Sequence, residues 1–143
     1  MKSTTVAVLG LAYKPFSSVV EESQGIFLAR ALSKVGARVV AYDPLAFESA
    51  KTELRDQAVV LDSVSSCLKQ ADVVIITTPD PVFRELKASD FENGKSKVTV
   101  VDFWRILDEE LAGKPGIDYI PVGRSLVDEA NASALAKLWE SPE

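Results

Sequence analysis

Histidine is absent from this 143-residue chain and cysteine occurs once, at Cys67. Without histidine there is no Ser-His-Asp triad and no Cys-His pair, and a single cysteine excludes an internal disulfide and a thiolate zinc cluster. Positive charge is also in short supply. Sixteen Lys and Arg against 21 Asp and Glu leave a net charge of −5 with no basic stripe, which excludes a nucleic-acid partner held through phosphate contacts. No apolar run is long enough to span a membrane, and the first five residues, MKSTT, lack the apolar core of a signal peptide. A cytoplasmic protein with a small-molecule ligand is expected, without a membrane or nucleic acid as partner.

What is present reads as one α/β domain, since 143 residues suffice to bury a substantial core. Thr5 to Leu9 is apolar on both faces and rich in β-branched residues, as the centre of a helix-covered parallel sheet requires. A loop with Gly10, Lys14, Pro15, Ser17 and Ser18 follows, and Ser23 is placed to cap a helix with an apolar stripe at Leu28, Ala31, Leu32 and Val35. Further strands are expected at 37–42, 58–61, 72–77, 97–101 and 119–122, the last at an edge because of Pro121. Helices are expected from Phe47 to Leu54, after Asp62 or Ser63, and from Val82 to Leu86. Their alternation with strands predicts a Rossmann-like three-layer α/β/α fold with a doubly wound, mainly parallel sheet. Ala130, Ala134, Leu135 and Leu138 share a face of a closing helix over 128–140, which either covers the sheet or exchanges with a second copy in a homo-oligomer.

In such a sheet, ligands bind beyond the carboxyl ends of the strands where strand order reverses. That rule selects Lys14 with Ser17 and Ser18, Thr77 with Thr78, and Asp102 with Trp104 and Arg105. Two cations, several hydroxyls and an aromatic surface suit a phosphorylated or nucleotide ligand. The duller alternatives are a solvated Lys14 and an Arg105 paired with Asp102 or Asp108. The dinucleotide fingerprint G-x-G-x-x-G fails after Gly10, because Ala12 and Pro15 occupy the second and third glycine positions. Asp43 stands where an acid often holds a ribose hydroxyl, yet Pro44 behind it favours a turn role. Cys67 lies on the apolar face of Val64, Leu68 and Ala71, which favours packing over nucleophilic chemistry.

The blocks GLAYKP (10–15), GARVVAYDP (36–44), ADVVIITTPDPVFREL (71–86), VVDFWRIL (100–107) and YIPVGR (119–124) together resemble the C-terminal domain of the UDP-glucose/GDP-mannose dehydrogenases. The resemblance implies a Rossmann-like, nucleotide-sugar-binding domain spanning 1–124, with 125–143 as its helical extension. It also implies a complete enzyme that oxidises a nucleotide sugar in two NAD-dependent steps, using an N-terminal NAD-binding domain and a catalytic cysteine. By the same resemblance, Lys14 and Arg105 lie near the nucleotide sugar. Where the family commonly has T-D-D-x-R, this chain reads Ser17, Ser18, Val19, Val20 and Glu21, and Thr78-Pro79-Asp80 stands where it often reads T-E-W. Neither the NAD fingerprint nor the catalytic-cysteine motif is present. The expected function is therefore UDP-sugar binding through Lys14, Ser17, Ser18, Thr78, Trp104 and Arg105, with catalysis supplied by a separate or removed NAD-binding domain. The competing reading is an assembly or regulatory module of the same fold that has lost its ligand.

Overall fold

A computed structural model describes residues 3–123. Six strands form one sheet in the order β3-β2-β1-β4-β5-β6: β1 (Thr5–Leu9), β2 (Arg38–Tyr42), β3 (Val59–Val60), β4 (Val73–Ile76), β5 (Val98–Asp102) and β6 (Ile117–Pro121). Every pairing is parallel, with Val8 of β1 facing Ala41 of β2 on one side and Ile75 of β4 on the other. All five residues of β1 are buried, because helices cover both faces of the sheet.

Alternation along β1 divides the core in two. Val6 and Val8 face α1 (Gln24–Lys34) and α2 (Phe47–Leu54), packing with Ile26, Ala29, Ala50 and Leu54. Ala7 and Leu9 face the opposite layer, built from α3 (Val64–Leu68), α4 (Pro81–Arg84) and α5 (Asp108–Leu111) around Leu68, Phe83, Leu107 and Leu111. Cys67 is fully buried in that second layer. Burial pushes its thiol up to about 12, so it packs as a small apolar residue and is no nucleophile.

The expected elements form, with two adjustments. Ser23 caps α1, its hydroxyl oxygen accepting the Ile26 amide at 3.3 Å, and Ser63 rather than Asp62 caps α3. The buried face of α1 is Gly25, Ile26 and Ala29, whereas Ala31 is exposed and Val35 is 81% exposed. The helix meets the sheet most closely through its first turn, with Leu28 and Leu32 of the expected stripe half-buried against the same core. Edge strand β6 runs from Ile117 to Pro121, so the proline sits where the ladder ends. The helix expected over 128–140, and the 125–143 extension as a whole, lie outside the described residues.

Candidate functional site

The sheet reverses its strand order between β1 and β4, and the loops leaving these two strands meet there. Gly10 makes the meeting possible. Its φ of +107° is open to glycine, and a Cβ at this position would stand 2.5 Å from the Thr77 hydroxyl and 2.6 Å from that of Thr78. The Thr77 hydroxyl donates toward the carbonyls of Leu9 (3.0 Å) and Gly10 (2.6 Å), locking the two strand ends together.

A cleft of about 300 Å³ opens over this junction, lined by Ala12, Tyr13, Lys14, Pro15, Gln24, Gly25, Thr77, Thr78, Pro79 and Trp104. A second hollow of about 470 Å³ shares Gln24, Thr77 and Trp104 with it and adds Phe103, Arg105 and Val122. The two adjoin along these shared residues as the lobes of one groove, each lined by one cation. Trp104, 54% exposed, separates them and is held by its indole N–H, which donates to the Thr77 carbonyl at 2.8 Å.

Of the residues expected from sequence, Lys14, Thr78, Trp104 and Arg105 come together in this groove. Lys14 and Arg105 are exposed, while Thr78 is buried. The Arg105 guanidinium donates to the Val122 carbonyl at 2.7 Å. Its expected alternative partner Asp102 is occupied instead by the amides of Trp104 and Leu107 and by the Tyr119 hydroxyl. Ser17 and Ser18 do not line the groove. The Ser17 hydroxyl oxygen accepts the Val19 amide at 3.0 Å, and Ser18 faces solvent farther along the loop. Asp80 is not a groove residue either, because it caps α4 by accepting the Val82 amide at 3.0 Å, with Pro81 at the first helical position.

Two polar lining residues, Tyr13 and Gln24, were not selected from the sequence. Tyr13 lay inside the GLAYKP block, and Gln24 directly follows the Ser23 cap, at the helix start nearest the loop; that adjacency was the available signal. Gly25 performs the packing role of the glycine that the fingerprint lacks at Pro15. A Cβ there would fall far inside contact distance of the Gly10 carbonyl oxygen, so helix and strand pack closely through a glycine fifteen positions after Gly10.

The loop does not fit a dinucleotide bound in the usual manner, because the amides that would cradle a pyrophosphate are already committed. Those of Leu11 and Ala12 donate to Asp43 at 2.8 and 2.9 Å, and that of Tyr13 donates to the Val19 carbonyl at 2.7 Å. The other Asp43 oxygen accepts the amides of Leu45 and Ala46. Buried and saturated by four donors, Asp43 ties the β1 and β2 loops together and has the turn role rather than the ribose role.

Residues 7–109 match the UDP-glucose/GDP-mannose dehydrogenase family, UDP binding domain. The chain belongs to this family. Among its relatives, a UDP-glucose 6-dehydrogenase of Rickettsia conorii is 32% identical over 127 residues, covering 88% of this chain and 29% of the relative. The UDP-glucose 6-dehydrogenase AglM of Haloferax volcanii is 35% identical over 114 residues, which is 80% of this chain and 25% of that protein. The structure of a UDP-glucose dehydrogenase from Pyrobaculum islandicum superposes with a TM-score of 0.70 at 31% identity, over 87% of this chain and 26% of that one. This UDP binding domain thus spans less than a third of the length of the relatives it matches. Within the family domain, the matched segment takes in both Lys14 and Arg105.

Proposed function

We propose that the groove binds a UDP-sugar, and that the chain is the nucleotide-sugar-binding part of an NAD-dependent nucleotide-sugar 6-dehydrogenase. The observation that carries this reading is the placement of Lys14 and Arg105 in the two lobes of one groove, on a shared floor of Thr77, Gln24 and Trp104. Lys14 makes no hydrogen bond or ion pair with any described residue, which leaves its ammonium to act as a point charge on a phosphate. Arg105 offers the donors not used on Val122 as a fork to the same diphosphate. Trp104 presents a flat face for the sugar or base and Thr78 a hydroxyl, while Ser17 and Ser18 are left out of the site.

Hydride transfer and the covalent aldehyde step belong to an NAD-binding catalytic domain outside this sequence, encoded in the same polypeptide or separately. The committed amides of Leu11, Ala12 and Tyr13 support that division of labour. No helix among the described residues is long and apolar enough to cross a membrane. A buried, unpaired thiol at Cys67 suits the reducing cytoplasm, which is part of the same reading.

Calorimetry on point variants tests the assignment. Lys14→Ala and Arg105→Ala should each weaken UDP binding by roughly tenfold, the scale of one charge-assisted hydrogen bond, and the double variant by about a hundredfold. Unchanged affinity in the double variant would overturn the site. A second reading, an assembly or regulatory module, draws on the exposed apolar side chains of Phe16 (78%), Phe27 (68%) and Val19 (50%) around the same loop. It predicts a concentration-dependent homo-oligomer or a stable complex with the catalytic half, with no response to any nucleotide.

A further inference from the structure

One buried group outside the groove is bonded to the segment that carries two of the groove's key residues. Asp102 ends β5 with no exposed surface. A carboxylate taken out of water is costly unless its lone pairs are filled. Here Oδ1 accepts the Trp104 amide at 3.2 Å, and Oδ2 accepts both the Leu107 amide at 2.9 Å and the Tyr119 hydroxyl at 2.7 Å. The two amides bracket the turn that carries Arg105.

Arg105 itself sits at φ +56°, a left-handed conformation that a non-glycine residue adopts at a cost. It is held from the far side as well. The Asp102 carbonyl accepts the Val122 amide at 3.0 Å, and the Val122 carbonyl in turn accepts the Arg105 guanidinium. An apolar residue could fill the end of β5 without desolvating a charge, but it could not gather three donors from the turn and from β6 onto one point.

We infer that Asp102, acting with the Tyr119 hydroxyl, is the positioning residue of this site. It touches no ligand; it sets the turn so that Trp104 and the Arg105 guanidinium both face the groove. The inference rests on UDP binding as proposed above.

The test is a double-mutant cycle read by calorimetry with UDP. Tyr119→Phe removes one hydroxyl and leaves the ring, and circular dichroism should show an unchanged fold. Its UDP affinity should fall roughly three- to tenfold, the scale of one lost hydrogen bond. In an Arg105→Ala background the same change should cost clearly less, because the part of its effect that passes through the arginine is gone and only the part through Trp104 remains. Asp102→Asn, which keeps the shape and loses the charge, should show the same dependence on Arg105. Equal losses with and without Arg105, or no loss in either variant, would overturn the positioning role while leaving UDP binding intact. A wild-type chain that fails to bind UDP would instead overturn the site reading, and the positioning role with it.

Discussion

Asp43 and Cys67 show how a single residue type narrows what a site can do. The sequence offered Asp43 as either a ribose ligand or a turn acid, and the four amides it accepts decide for the turn. That choice was only half legible, because a proline at position 44 marks a turn but does not reveal that the β1 loop folds back onto the carboxylate. Cys67 was fully legible from its spacing with Val64, Leu68 and Ala71. Its thiol, raised by burial to about 12, holds its proton to higher pH in the folded chain than in the unfolded one. Tyr42 is raised too, first by burial and then by Asp43, Asp80 and Cys67. The stability contributed by the neutral Cys67 thiol is intact below about pH 9 and is lost as pH rises toward about 12, and the neutral Tyr42 phenol adds to the loss in the same direction at high pH. Urea midpoints should therefore fall steadily across that window, and a profile that is flat or rising there would contradict the burial. Native Cys67 should likewise resist thiol reagents at pH 8 and react at once when the chain is unfolded.

Among the elements, α1 departs most from its sequence pattern. Of the apolar stripe Leu28, Ala31, Leu32 and Val35, Leu28 and Leu32 pack against the core while Ala31 and Val35 are exposed, and the stripe missed the closest contact because periodicity counts side chains and cannot register a contact made by having none. Gly25 makes that contact, letting the first turn of α1 rest on the Gly10 carbonyl. Gly25→Ala should lower stability by about 2–4 kcal/mol, as an overpacked core position does, despite the better helix propensity of alanine. Gly36→Ala is the comparison, since a Cβ there meets nothing within 4 Å and only the cost of its positive φ remains. Equal and small losses in the two variants, measured by denaturant unfolding, would contradict the close approach. The strands were easier to read. β1, β4 and β5 carry β-branched runs bounded by glycine, proline or acidic residues, and little else can be made of them.

At the scale of the whole molecule, the sheet order does most of the work. Alternating strands and helices made the doubly wound architecture legible, and the rule that ligands lie at the switch point then selected the three loops that meet at the groove. Sequence alone could not reveal that Ser17 turns back onto its own loop, that Gln24 joins both lobes, or that Thr77 rather than a serine bridges the strand ends, since each depends on how a fourteen-residue loop from Gly10 to Ser23 closes on itself. The division between a groove with two cations and a phosphate turn with its amides committed leads to one expectation for the chain as a whole: it should take a uridine diphosphate and leave a dinucleotide alone. The direct measurement is calorimetric titration of the wild-type chain with UDP, UDP-glucose, GDP and NAD in separate runs. Saturable binding of UDP and UDP-glucose, with GDP weaker and NAD silent, is the predicted result. Binding of NAD as tight as that of UDP, or silence toward all four, would contradict it.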